Sequence, residues 1–168
     1  MLSAKMEKAF NQQINAELYS SYLYYSMCAY FESINLSGFS QWMLMQTQEE
    51  MFHANKFFHY VNERGGRVLM EAIGQPKTEW NSAIDVFTDV LEHEQKVTGL
   101  INGLMDLAQE EKDHASQIFL QWFVAEQVEE EATVGGVLHK LELIDHDSAG
   151  LFALDQELGQ RIFTPPVK

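Results

Sequence analysis

The sequence predicts an all-α protein, a four-helix bundle with one long crossover and a short fifth C-terminal helix. Three observations carry this reading. Long stretches with helical apolar periodicity alternate with short breaks, the prolines (Pro76, Pro165, Pro166) all fall outside those stretches, and the link between the second and third stretch is far longer than its neighbours.

The helices are expected at about 4–33, 37–64, 82–109 and 113–144, with the fifth at about 148–162. The links around Ile34 and around Glu111 are short, so helices one and two, and helices three and four, should pack antiparallel. The middle link, Gly65 to Asn81, holds Gly65, Gly66, Gly74 and Pro76. Seventeen residues reach roughly 56 Å when extended. A helix of about 27 residues is about 40 Å long, so this link can travel the whole bundle and start the third helix parallel to the second. A binding lid is the other use for a connection of that length.

At 168 residues the chain fits one domain, 1–168, with a core of useful size. The formal charge of -14 and the absence of any Lys/Arg cluster argue against nucleic acid and anionic membrane surfaces, and make cations the natural partners. Cys28 is the single cysteine, so neither an intrachain disulfide nor a cysteine-based zinc site can form. The first residues, "MLSAKMEKAF", contain no apolar signal core, and no uncharged apolar run approaches the length of a membrane span. A cytoplasmic location is expected.

The chemistry lies in the heptad seams. Spacing of 4 and 3 runs through Phe10, Ile14, Glu17, Ser21, Tyr24, Cys28 and Phe31 in the first helix, and through Phe39, Met43, Gln46, Glu50, His53, Phe57 and Tyr60 in the second. The third seam reads Ile84, Phe87, Leu91, Glu94, Thr98, Ile101 and Met105, and the fourth Leu120, Phe123, Gln127, Glu130, Val134, Val137 and Leu141. Each seam thus carries an acid near its midpoint, whichever way the helix runs. The acids should meet at one level, with no Lys or Arg in those seams to neutralise them.

Burying one unpaired carboxylate costs several kcal/mol, and four together also repel, so protonation or a bound cation must resolve the layer. One imidazole among several carboxylates, without thiolate, suits iron or manganese better than structural zinc. Glu17, Glu50 and His53 are assigned to a first ion and Glu50, Glu94 and Glu130 to a second, with Glu50 as the bridge. Two such ions, about 3.5 to 4 Å apart, could each give one electron to an O2 or H2O2 molecule lodged between them.

At these residues the chain resembles the ferritins, most closely the non-haem ferritins of bacteria and archaea. The resemblance rests on "NAELYSSYLYYSM", "QEEMFHANKFF", "VLEHEQ" and "LQWFVAEQVEEE", in that order and separation, and covers nearly the whole chain. It implies a shell of 24 identical subunits, ferroxidase chemistry on Fe2+ with O2 or H2O2 at each bundle centre, and storage as a hydrated ferric mineral. Glu17, Glu50, His53, Glu94 and Glu130 would be the ligands of two irons, with Gln127 lining the second position. A third iron position would be formed by Glu49, Glu126, Glu129 and Glu130, and Tyr24 would stand beside the paired site. The fifth helix would lie near the shell's fourfold axis.

The haem-containing bacterioferritins carry a second Glu-x-x-His in the fourth helix. This chain has Glu126, Gln127, Val128, Glu129 and Glu130 there, so no haem is expected although Met51 follows the bridging Glu50. Two other functions remain: a di-iron peroxidase of the rubrerythrin kind, whose accompanying four-cysteine iron site one cysteine cannot build, and a bundle that only buffers divalent metal. His59, His93, His114, His139 and His146 are expected to be surface polar groups. Gly135 and Gly136, inside the fourth helix, are expected to mark a bend or a close contact.

Overall fold

A computed structural model of the chain describes residues 1–144 and 147–166. It contains α1 (Ala4–Ser33), α2 (Ser37–Glu63), α3 (Ala83–Glu110), α4 (His114–Ile144) and α5 (Ser148–Leu158), and no strand among the described residues. Among the described residues, no helix is long and apolar enough to cross a membrane.

Local chemistry sets the ends of these helices. Ser3 accepts the Met6 N–H at the start of α1, Ser82 accepts that of Asp85 at the start of α3, and Asp113 accepts that of Ser116 at the start of α4. The third and fourth helices therefore begin one residue later than the periodicity predicts, because Ser82 and Asp113 are caps. The tight turns after α1 and α3 each need one left-handed residue, Asn35 (φ 60°) and Lys112 (φ 55°). Gly65 (φ 74°) closes α2, with the Gly66 N–H reaching back to the Val61 carbonyl. The fifth helix stops at Leu158, short of the expected 162, and the chain continues through a turn into a tail without regular structure.

The link after α2 is a crossover, as its length predicts. It climbs the outside of α1: Asn11 bonds the Arg67 carbonyl and the Leu69 N–H, Asn15 bonds the carbonyls of Glu71 and Ala72, and Ser26 bonds that of Lys77. Among the described residues, 67–81 make no backbone–backbone hydrogen bond, and α1 side chains satisfy part of this backbone instead. At the top, the Trp80 ring packs at a tilt against Tyr30 and the chain enters α3 parallel to α2.

Two apolar clusters fill the bundle. One holds Met27, Phe31, Phe39, Trp42, Phe87 and Val134, and the other Phe10, Ile14, Phe57, Ile101, Leu120 and Phe123. The seam acids lie between them. All the predicted seam residues of α1 and α4 are buried, and those of α2 are too except half-buried Tyr60. In α3 the seam is rotated: Val90, Val97, Leu104 and Ala108 are buried, whereas Ile84, Leu91, Thr98 and Met105 are only half-buried. Both rows pass through Phe87, Glu94 and Ile101, so periodicity alone could not choose between them. Gly135 and Gly136 sit in continuous helix, and a Cβ on either would meet nothing within 4 Å. Among the described residues, the expected close contact is absent within the subunit.

Candidate metal centre

Glu17 on α1 and Glu50 and His53 on α2 meet at mid-bundle. One potential ligand atom from each lies within 4.8 Å of the others, and each residue is 1–2% exposed. The Glu50 carboxylate stands 3.4 Å from His53 Nδ1. Trp122 and Phe123 of α4 meet the imidazole edge-on, at 5.4 and 5.9 Å between ring centres, and fix its plane. Among the described residues, Glu17 Oε2 and His53 Nε2 are buried with no hydrogen-bond partner. Such groups require one, and a cation would satisfy both.

Glu94 on α3 and Glu130 on α4 complete the layer. Tyr24 donates a hydrogen bond to Glu94 Oε1, and Gln127 Nε2 donates to Glu94 Oε2 (3.1 Å). Gln46 Nε2 donates to Glu130 Oε2 (2.8 Å) and to Glu50 Oε1 (3.4 Å), and Gln13 donates to Glu17 Oε1 (2.8 Å). The amides therefore hold the carboxylates in place. Glu50, Glu94 and Glu130 do not close to the spacing of the first set among the described residues, with Gln46 and Gln127 standing between them.

The electrostatics follow from burial. Glu17 is pushed well above the usual carboxylate range, first by desolvation and then by Glu50. Glu50 rises likewise, by desolvation and then by Glu94 and Glu130. Desolvation, followed by Glu94 and Glu49, pushes Glu130 up to about 8. Glu94 is raised by burial but held back by its bonds from Tyr24 and Gln127. Burial, then Glu94, raises Tyr24 well above the ordinary phenol value.

The auxiliary acids divide. Glu49 and Glu126, both half-buried, place ligand atoms within 4.8 Å of each other and of His53. Glu126 is raised, chiefly by burial. Glu129 is exposed and, among the described residues, lies outside this group. Met51 is 43% exposed, on the outside of α2.

The histidines also divide. His59, His114 and His139 are exposed, as expected, and His146 lies outside the described residues. His93 is not a surface group. It bonds Ser20 Oγ through Nε2 (2.7 Å), packs edge-on against Tyr24, and falls to about 4, through burial and then Lys96. Its signal in the sequence is its place beside Glu94. Gln46 is legible in the sequence as a seam residue and Gln13 only as a polar residue beside a seam; their bonds to the acids depend on the folded geometry.

A bundle of two antiparallel helix pairs joined by a crossover, enclosing a buried carboxylate–imidazole layer, defines a ferritin-like protein. The ferritin-like domain profile matches residues 7–144. The bacterial non-heme ferritin of Bacteroides fragilis is 47% identical over 161 residues, covering 96% of this chain and all of that one. That of Staphylococcus aureus is 37% identical, covering 97% and 98%. An Archaeoglobus fulgidus ferritin engineered to a closed form superposes with a TM-score of 0.97 at 54% identity, covering 98% of this chain and 100% of its own. The open-pore ferritin of the same archaeon gives 0.96 at 52%, covering 96% and 100%. The chain belongs to the ferritin family, on its non-haem branch, and iron storage is the function that membership brings.

Proposed function

We propose that this subunit is a ferroxidase as well as a storage protein. It takes Fe2+ at Glu17, Glu50 and His53, and a second Fe2+ at Glu50, Glu94 and Glu130, with Gln127 lining that position and Glu50 shared. The carrying observation is the pair of buried, unpartnered donors, Glu17 Oε2 and His53 Nε2, inside a set of three ligands within 4.8 Å. Two substrate ions bound together give one electron each to O2 or H2O2.

The protein's own part is to hold the carboxylates, move protons and exclude water. Glu17, Glu50 and Glu130, raised by burial, give up protons when a cation enters, and the cation takes over the neutralising role. Gln46 and Gln13 release or retain carboxylate oxygens as the ions arrive. Tyr24 orients Glu94. The apolar clusters on either side keep bulk water out. Glu49 and Glu126, with Glu129 nearer the solvent, offer a third iron position.

The product is stored as ferric mineral inside a cytoplasmic shell of 24 subunits. A lone subunit leaves Tyr22, Tyr25, Met70, Leu143 and Phe152 half or more exposed, which supports burial of these faces between copies. Stopped-flow absorbance on adding Fe2+ tests the chemistry. Glu50→Ala should abolish rapid oxidation while the particle mass stays that of the wild type. An initial rate within about threefold of wild type, roughly 0.65 kcal/mol of barrier, would remove Glu50 as the bridge.

A further inference from the structure

The tail after α5 turns back along α2. Gln41 Nε2 bonds the Arg161 carbonyl (3.4 Å), the Phe163 N–H rests on Met45 Sδ (3.3 Å), and the Phe163 ring packs on Phe52. The chain then reaches Pro166, which helps line a cleft of about 660 Å³ beside Trp122. This course carries Arg161 to the auxiliary acids. Its Nη2 lies 2.8 Å from Glu49 Oε2, its guanidinium lies 4.3 Å from the centre of the Trp42 ring, and its Nη1 is buried without a hydrogen-bond partner among the described residues.

Glu49 is also one of the three residues, with His53 and Glu126, whose ligand atoms lie within 4.8 Å of one another. His53 is 2% exposed and belongs both to this group and to that of Glu17 and Glu50, so the two positions share one imidazole. With Glu49 Oε2 held by the guanidinium, a metal ion is left with Oε1 and must sit beside a positive charge that repels it. Arg161 and a divalent cation therefore compete at Glu49.

We propose that Arg161 is an intramolecular competitor for the auxiliary cation position at Glu49, His53 and Glu126, and that a cation binding there releases the tail from α2. This rests on the metal-site reading above. It makes the third position conditional: the tail holds it closed at low cation concentration and yields as cation accumulates. If Arg161 occupies Glu49 about nine-tenths of the time, the apparent affinity of the position falls about tenfold, since only the open fraction binds.

Zinc, which does not change oxidation state, is the probe. In crystals and by calorimetry of the assembled protein, Arg161→Gln should bind zinc at Glu49 and Glu126 about tenfold more tightly than wild type. Hydrogen exchange at the Phe163 amide should quicken when zinc is added to wild type, and should already be fast and indifferent to zinc in Glu49→Gln. Unchanged zinc affinity in Arg161→Gln, or a Phe163 amide in wild type that ignores zinc, overturns the proposal. Zinc at Glu17, Glu50 and His53 is scored in the same crystals. Its absence there would overturn the underlying metal-site reading instead, whatever happens at Glu49.

Discussion

The carboxylate of Asp155 caps the amino end of α2, with its Oδ1 2.8 Å from the backbone nitrogen of Gly38 and 3.0 Å from that of Phe39. The residue in the capping position of α2 itself, Leu36, makes no side-chain cap, so the fifth helix supplies one from more than a hundred positions away. Leu154 and Leu158 of the same helix are buried in the apolar cluster near that end. The fifth helix is thus docked on the bundle by one buried carboxylate and two leucines.

Gly38→Ala tests how close that docking is. A Cβ at residue 38 would stand 1.7 Å from the Asp155 carbonyl oxygen, a contact only backbone movement can relieve. The variant should lose hydrogen-exchange protection throughout α5 and in the tail that follows, with α1 to α4 still protected. Asp155→Ala should be milder, costing about 1 kcal/mol as a lost helix cap. An alanine variant at Gly38 with wild-type protection in α5 would refute the close approach.

Glu17 and Glu94 should differ when they are made apolar. Glu94 has both oxygens bonded, by Tyr24 and Gln127, whereas Glu17 Oε2 has no partner. Replacing Glu17 and its donor Gln13 together by leucine should stabilise the metal-free protein by about 1 to 3 kcal/mol. Glu94→Leu should instead destabilise it by about 1 to 3 kcal/mol, because two buried donors lose their acceptor. Denaturant unfolding at one subunit concentration and one oligomeric state checks both. A Glu94→Leu protein more stable than the double variant would reverse this assignment of strain.

The pH dependence has a definite sign. Glu130 titrates at about 8 when folded and at the ordinary 4.5 when unfolded, so between those values the folded state keeps a proton that the unfolded state has released. Stability of the metal-free protein should fall as pH rises from 4.5 to 8, by at most about 1.4 kcal/mol per pH unit for each such group. Glu17 and Glu50, raised in the same direction, add to it. Zinc should reverse the trend, because ligands must shed protons to bind it and a ligand of the folded state stabilises by mass action. Urea midpoints at about pH 5.5 and about pH 8, with and without zinc, measure this. A metal-free protein more stable at the higher pH would show that the buried acids are already charged and compensated.

The seam acids are legible in the sequence because a heptad row constrains burial strongly: Glu17, Glu50, His53, Gln127 and Glu130 share their rows with large apolar residues, and all five are buried. The crossover is equally legible, since only an extended chain of that length could join two parallel helices. The rotation of α3 is not. Its alternative rows pass through the same Phe87, Glu94 and Ile101, and the choice between Leu91 and Val90 is made by the space the other three helices leave.

The helices, their antiparallel pairing and the convergence of acids at one depth are written in the order of residues alone, because periodicity, link length and capping are properties of neighbouring residues. Which oxygens are satisfied and which are not is settled by tertiary packing. Gln46 reaching Glu130, Tyr24 reaching Glu94, His93 turning inward to Ser20, and Arg161 arriving at Glu49 all join residues distant in the chain, at separations where one rotamer makes or loses a bond. Such contacts depend on side-chain direction and on how far helices stand apart, and no local pattern encodes either.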